Sequence, residues 1–252
     1  MKPMTAIETP NGESFQASTG FAPLDFTKPA DEQIAIALKS AILSMQLPPG
    51  QLISEMEVGR IFGASRTPVR AAFAQLREEG LLVTWPSRGT FVTNLSLKSI
   101  KAAQFLREAI EVTVVQELCK SGFSDGSQDA ISKNLDDQQD AIDQNNGVAF
   151  RLLDDQFHIL LAEATGYNRI VAALNREKAV LDRLRSMTLT SGGVMKNLRS
   201  DHMAIFTAIQ ERDFESAIDQ LRTHVRLTMK TLTGLVEKNR GYFDLDETMG
   251  EL

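Results

Sequence analysis

The chain has 252 residues, an apolar share of 42% and a net charge of −6, the profile of a globular protein with one large or two ordinary domains. No apolar run reaches the roughly 18 residues of a membrane span and the N-terminus lacks a secretory apolar stretch, so a cytoplasmic protein without a membrane partner is expected. A single cysteine, Cys119, excludes an intrachain disulfide and reads as a small buried apolar residue.

Residues 1–26 are rich in Pro, Gly, Ser and Thr, show no period, and are expected to form a disordered tail. Residues 31–47 place Ile34, Ala37, Leu38, Ala41, Ile42 and Met45 at helical spacing, and Pro48-Pro49-Gly50 is expected to end that helix. Ser54 with Glu57 three residues on forms a capping-box pattern for a second helix that stops at Gly63. Ser65 is a good N-cap for a third helix, with Pro68 in its first turn, Val69, Phe73 and Leu76 as its apolar stripe, and Gly80 as its stop. The β-rich runs 81–85 and 90–94 flank a Pro-Ser-Arg-Gly turn and read as a hairpin. Helix, helix, tight connection, helix and hairpin make a winged helix-turn-helix over residues 27–95. From Leu97 only helical periodicity remains, punctuated by Gly122, Gly147, Gly166 and Gly192-Gly193, so residues 97–236 are expected to form an all-α bundle of about six helices. Residues 237–252 are taken as a tail.

Charge follows this division. Residues 27–95 carry seven basic and six acidic groups, whereas residues 96–252 carry nineteen and twenty-four. Only the first of these segments suits a phosphate backbone. In a helix-turn-helix the second helix of the motif enters the major groove by its N-terminal end, here Ser65, Arg66, Thr67 and Arg70. Arg66 and Arg70 share a helix face, and the arginine fork suits guanine or phosphate. Arg88, beside Gly89 at the hairpin tip, is placed as a wing contact. Arg77, next to Glu78 and Glu79, reads instead as a solvated ion-pair residue.

The run 49-PGQLISEMEVGRIFGASRTPVRAAFAQLREEGLLVTWPSRGTFV-92 resembles the DNA-binding domain of the GntR family of bacterial transcription regulators. The resemblance implies that Ser65, Arg66, Thr67, Arg70, Arg88 and Gly89 contact double-stranded operator DNA. Met56 departs from it, standing where some relatives carry a basic contact residue.

All three histidines lie in the helical half. Asp154 and His158 are one helical turn apart and can chelate one ion. His202 and His224 sit on later helices, which antiparallel packing in a bundle can bring near the first pair. By spacing alone such scattered histidines are more often surface or satisfied core residues than ligands. Residues 97–236 resemble the FadR-type C-terminal (FCD) domain. Its metal-binding members carry a pattern that here falls on Asp154-x-x-Phe157-His158, then Asp201-His202-x-x-Ile205-x-x-Ala208-Ile209, then His224; Arg107 to Glu111 matches a further signature. The resemblance implies a divalent ion held by Asp154, His158, His202 and His224. Zinc is the first expectation; nickel, manganese and iron(II) are chemically admissible. An open coordination position would admit a small organic acid, with Arg107, and more weakly Arg151, as partners for its carboxylate.

The expected function is a DNA-binding transcriptional regulator, a repressor by preference, acting as a homodimer on a two-half-site operator and controlled by the bound acid. Two alternatives stand beside it. In one the ion itself is the signal; in the other the metal centre is an enzyme, with Asp155 and Glu163 the only nearby acid–base candidates.

Overall fold

The computed structural model describes residues 20–188 and 192–244, so most of the expected N-terminal tail and the last eight residues lie outside it. Residues 20–26 are described, and they are docked rather than loose. Phe21 packs on Phe62 at 5.0 Å between ring centroids, and the Gln33 side chain bonds Asp25 through both its amide nitrogen and its oxygen.

Helix α1 spans Ala30–Leu43 and buries Ile34, Ala35, Leu38, Ala41 and Ile42. It ends before the expected Pro48, because Met45 turns left-handed (φ 64°) and Leu47 N–H reaches back to the Ala41 carbonyl. Strand β1 (Leu52–Ile53) leads to α2 (Glu55–Phe62), where the Ser54 hydroxyl accepts from Glu57 N–H and Gly63 closes the helix at φ 62°. Helix α3 (Arg66–Glu78) follows after three residues and buries Val69, Ala72, Phe73 and Leu76 against α1 and α2. Ser65 holds the N-cap position, yet its hydroxyl makes no cap hydrogen bond.

Strands β2 (Leu82–Trp85) and β3 (Gly89–Val92) form the expected hairpin. Arg88 N–H bonds the Trp85 carbonyl, with Pro86 and a positive-φ Ser87 between them, the arrangement of a type II turn. Strand β1 adds to the far side of β3, giving the antiparallel order β1-β3-β2. Two residues of β structure carry too little alternation to be read from sequence.

Among the described residues six α-helices follow: α4 (Leu97–Ser121), α5 (Asp125–Asp143), α6 (Gly147–Ala164), α7 (Asn168–Thr188), α8 (Gly192–Gln210) and α9 (Phe214–Lys238). Helix α6 packs against α5, α7 and α8, and the core contains Val115, Leu118, Ile131, Phe157, Leu161, Ile205, Ile209 and Leu221. The fold is mainly α, a winged helix-turn-helix followed by a helical bundle. Two compact units emerge. One runs up to Leu97 and includes the stretch from Val236; the other is Lys98–Leu235. The expected C-terminal tail is thus partly ordered: a 3-10 turn at Arg240–Tyr242 precedes β5 (Phe243–Asp244), which pairs in parallel with β4 (Leu95–Ser96). Buried Phe243 anchors it. No helix among the described residues is long and apolar enough to cross a membrane.

Candidate metal centre and nucleic-acid face

Helix α6 starts at Asn146, whose side chain accepts from Ala149 N–H. Its buried face carries Phe150, Phe157 and Leu161, and on that same face Asp154 and His158 point inward one turn apart. His202 comes from α8 and His224 from α9. The ligand atoms of these four residues all lie within 4.8 Å of one another, and all four side chains are buried. His158 Nε2 is 3.1 Å from His224 Nε2, His202 Nε2 is 3.2 Å from His224 Nε2, and His202 Nε2 is 3.4 Å from Asp154 Oδ1. Donors about 2.0–2.1 Å from one tetrahedral ion stand about 3.4 Å apart; these three pairs match that spacing, and the whole set, within 4.8 Å, is slightly wider than one small cation's ligand shell.

The outward nitrogens decide the protonation. His158 Nδ1 lies 2.8 Å from Glu111 Oε2 on α4, and His224 Nδ1 lies 3.3 Å from Asp201 Oδ2 on α8. His202 Nδ1 is 2.9 Å from Gln138 Oε1 on α5. That amide cannot be turned round, because Gln138 Nε2 donates to Asn134 Oδ1 and Asn134 Nδ2 donates to the Leu153 carbonyl. His202 and His224 therefore spend their one neutral-state proton outward, on Nδ1, and the Glu111 carboxylate beside His158 Nδ1 favours the same tautomer there, so the Nε2 lone pairs turn to the centre. Phe157 stacks on the His202 ring at 4.2 Å and fixes its plane. Carboxylate and amide partners on the outer nitrogen are what orient metal-ligating histidines.

Nothing supplies a second proton. Burial pushes His158 down to about 4, against the raising effect of Glu111, with Arg107 lowering it further. Burial, then the charges of His224 and His158, holds His202 well below its ordinary value. Burial also lowers His224, with Asp201 opposing. Burial alone would raise Glu111, but Arg107 and His158 outweigh it and keep it ionised. Three lone pairs and a carboxylate thus converge with no proton among them, a set that fits a divalent ion.

Arg107 and Arg185 line a cavity of about 200 Å³ together with Asp154 and His224, and Thr188, Asn197, Thr228 and Thr231 give it further polar lining. Arg107 also holds Glu111 at 2.5 Å. Arg151 is placed differently from Arg107: it sits 3.8 Å from Asp182 and 4.0 Å from Asp155, within an ion-pair network of α6 and α7. Asp155 faces Lys178 and Arg185 rather than the histidines. Sequence reasoning missed Gln138, Arg185 and the outer role of Asp201. The sequence offers no signal that singles out Arg185, since its neighbour Arg183 on the same helix is buried as well.

In the first unit, Ser65, Arg66, Thr67 and Arg70 are all exposed at the start of α3, and Arg88 and Gly89 are exposed at the tip of the β2–β3 hairpin. Lys39 pairs with Glu79 at 2.7 Å, so that carboxylate is bound to α1 rather than to Arg77. Gly89 has φ 112°, and a Cβ there would meet Leu52 Cδ1 at 2.6 Å. Its need is therefore conformational, whatever else it touches.

The description "Bacterial regulatory proteins, gntR family" matches residues 30–92, and the FCD domain matches residues 104–227. The chain is 30% identical over 220 residues to the HTH-type transcriptional repressor RspR of Escherichia coli (strain K12), covering 87% of this chain and 96% of that protein. Two solved structures share the fold. Escherichia coli McbR/YncC superposes with a TM-score of 0.68 at 14% identity, over 82% of this chain and 98% of that one. A GntR transcriptional regulator from Rhodococcus sp. RHA1 gives 0.68 at 22% identity, over 82% and 99%.

Proposed function

The chain belongs to the GntR family of bacterial regulatory proteins, in the branch with an FCD domain, and is a transcriptional regulator rather than an enzyme; from that premise we propose a repressor whose grip on operator DNA is set by a small organic acid bound at a metal centre. The observation that carries the metal half is the convergence of three unprotonated Nε2 atoms and Asp154 Oδ1. Asp154, His158, His202 and His224 would hold the ion, zinc first among the candidates. When bound, it would offer a Lewis-acidic centre with room for an anion's oxygen. Arg107 would take the anion's carboxylate from the cavity side, and the polar lining from Thr188, Asn197, Thr228 and Thr231 would receive its hydroxyl or second acid group.

The DNA half rests on exposure and residue type. Arg66 and Arg70 would read the major groove from α3, with the uncommitted Ser65 hydroxyl and Thr67 on a phosphate and Arg88 on the wing side. One such helix spans only a short half-site, so two copies of the chain are needed for a complete operator. Repression is the mode named for RspR. Effector control requires that the acid bind one arrangement of the molecule better than another.

The test is operator binding by fluorescence anisotropy, using DNA from upstream of the chain's own gene, with zinc-loaded protein and a panel of small carboxylates. One acid should weaken binding about tenfold or more, within the usual coupling range, and lose that effect in Arg107→Ala. Arg66→Ala should cost about 1–3 kcal/mol of operator binding with or without acid. Binding that tracks zinc and ignores every acid would instead make the ion the signal. Binding indifferent to both would contradict the sensor reading.

A further inference from the structure

Arg185 is the charged side chain that neither the ligand set nor the carboxylate partner accounts for. It is buried at the end of α7, its Nη2 pairs with Asp154 Oδ2 and its Nη1 with Asp155 Oδ1, and the same guanidinium lines the cavity. Asp154 therefore already has a cation. Its Oδ1 faces His202, while its Oδ2 is taken by Arg185.

The surrounding charges balance without any ion. Arg107 pairs with Glu111; Lys178 bridges Asp155 at 3.0 Å and Asp182 at 2.7 Å; Arg151 approaches both of the latter acids. With Arg185 and Asp154, four carboxylates meet four cations, and Asp201 on His224 and the buried Arg183 of α7 add one charge of each sign. A buried divalent ion would add two positive charges to a set already neutral, beside a guanidinium that has nowhere polar to go except the cavity.

We infer that Arg185 is the ligand set's internal counter-cation: it holds Asp154 Oδ2 in the metal-free protein, and its charge opposes a divalent ion at Asp154 Oδ1. This rests on the metal reading above and extends it to a linkage. The Arg185 guanidinium already lines the cavity with Arg107, so the loaded centre presents two arginines and two added charges to it. An anion there neutralises them, and metal and anion binding reinforce each other.

The test is a chelator-competition titration of zinc alone into full-length wild type, Arg185→Gln and Arg185→Lys, with circular dichroism to verify folding. Removing the competing charge should tighten zinc binding by about tenfold or more, whereas the lysine variant should stay near wild type. Equal or weaker binding by Arg185→Gln would overturn the inference, because a residue that merely orients Asp154 loses affinity when removed. The metal reading would survive that result. If wild type and variant both fail to bind zinc, both readings fall together. Should Arg185→Gln not fold, nitrogen-15 side-chain spectra of wild type decide. The arginine Nε signal missing from Arg185→Lys should shift on adding zinc; an unmoved signal would overturn the opposition.

Discussion

His202 shows how much one residue's environment determines. Its ring is completely buried, sandwiched by Phe157, and its Nδ1 proton is committed through Gln138 and Asn134 to a backbone carbonyl. The neutral form is the folded one. That gives metal-free protein a defined pH response. Unfolded histidine gains its proton near 6.5, whereas burial delays His158 to about 4. Above 6.5 neither state is protonated and stability is flat; as pH falls below it the unfolded chain takes up protons that the folded chain refuses, and stability drops. Asp155 works against this between its ordinary value and about 6, since burial raises it despite Lys178. Three histidines outnumber it. The urea midpoint of metal-free protein should hold from pH 8 to 7 and fall towards pH 5, less steeply in His202→Gln. A midpoint flat down to pH 5 would contradict neutral, buried imidazoles. At this scale Asp154 and His158 were legible in sequence, because one helical turn fixes their relation. Gln138 and Arg185 were not, because a glutamine or arginine on a helix acquires its meaning only from what another helix brings to it.

At the scale of elements, the wing depends on its backbone. Gly89 opens β3 with a left-handed φ and nearby Ser87 also has positive φ, so the hairpin tip makes a specific conformational demand. A Gly89→Ala change should cost about 1–2 kcal/mol through φ alone, since the exposed Leu52 tip can move aside from the added methyl group. Thermal unfolding should show that loss, and operator binding should weaken with it. Unchanged stability would mean that the tip rearranges freely. The punctuation of the first unit could be read directly: Ser54 caps α2 and Gly63 and Gly80 close α2 and α3 with positive φ. Where reading failed, the determinant was tertiary. The two-residue strands β1, β4 and β5 exist only because partners lie alongside, and α1 stops early because Leu47 tucks under it. Ser65 has the sequence of a cap and the position of one, but not the hydrogen bond.

For the molecule as a whole, the two units differ in how their charges are placed. The basic groups of a chain with net charge −6 are not surplus to balance in the first unit, where Arg66, Arg70 and Arg88 stand exposed on one short stretch of fold. In the second unit the buried charges are paired inward around a neutral, proton-poor cluster. A bundle that needed only stability would fill such a centre with apolar side chains at less cost. The retained polar cluster is therefore the feature to be explained, and the central claim is that it holds a metal. Its most direct test is elemental analysis of untagged full-length protein purified without chelator, beside His158→Ala. The account expects about one zinc-like ion per chain in wild type, in keeping with one four-ligand site, and its loss in the variant. No metal in wild type, even after zinc soaking and desalting, would contradict it and leave the histidines as the polar wall of a metal-free pocket.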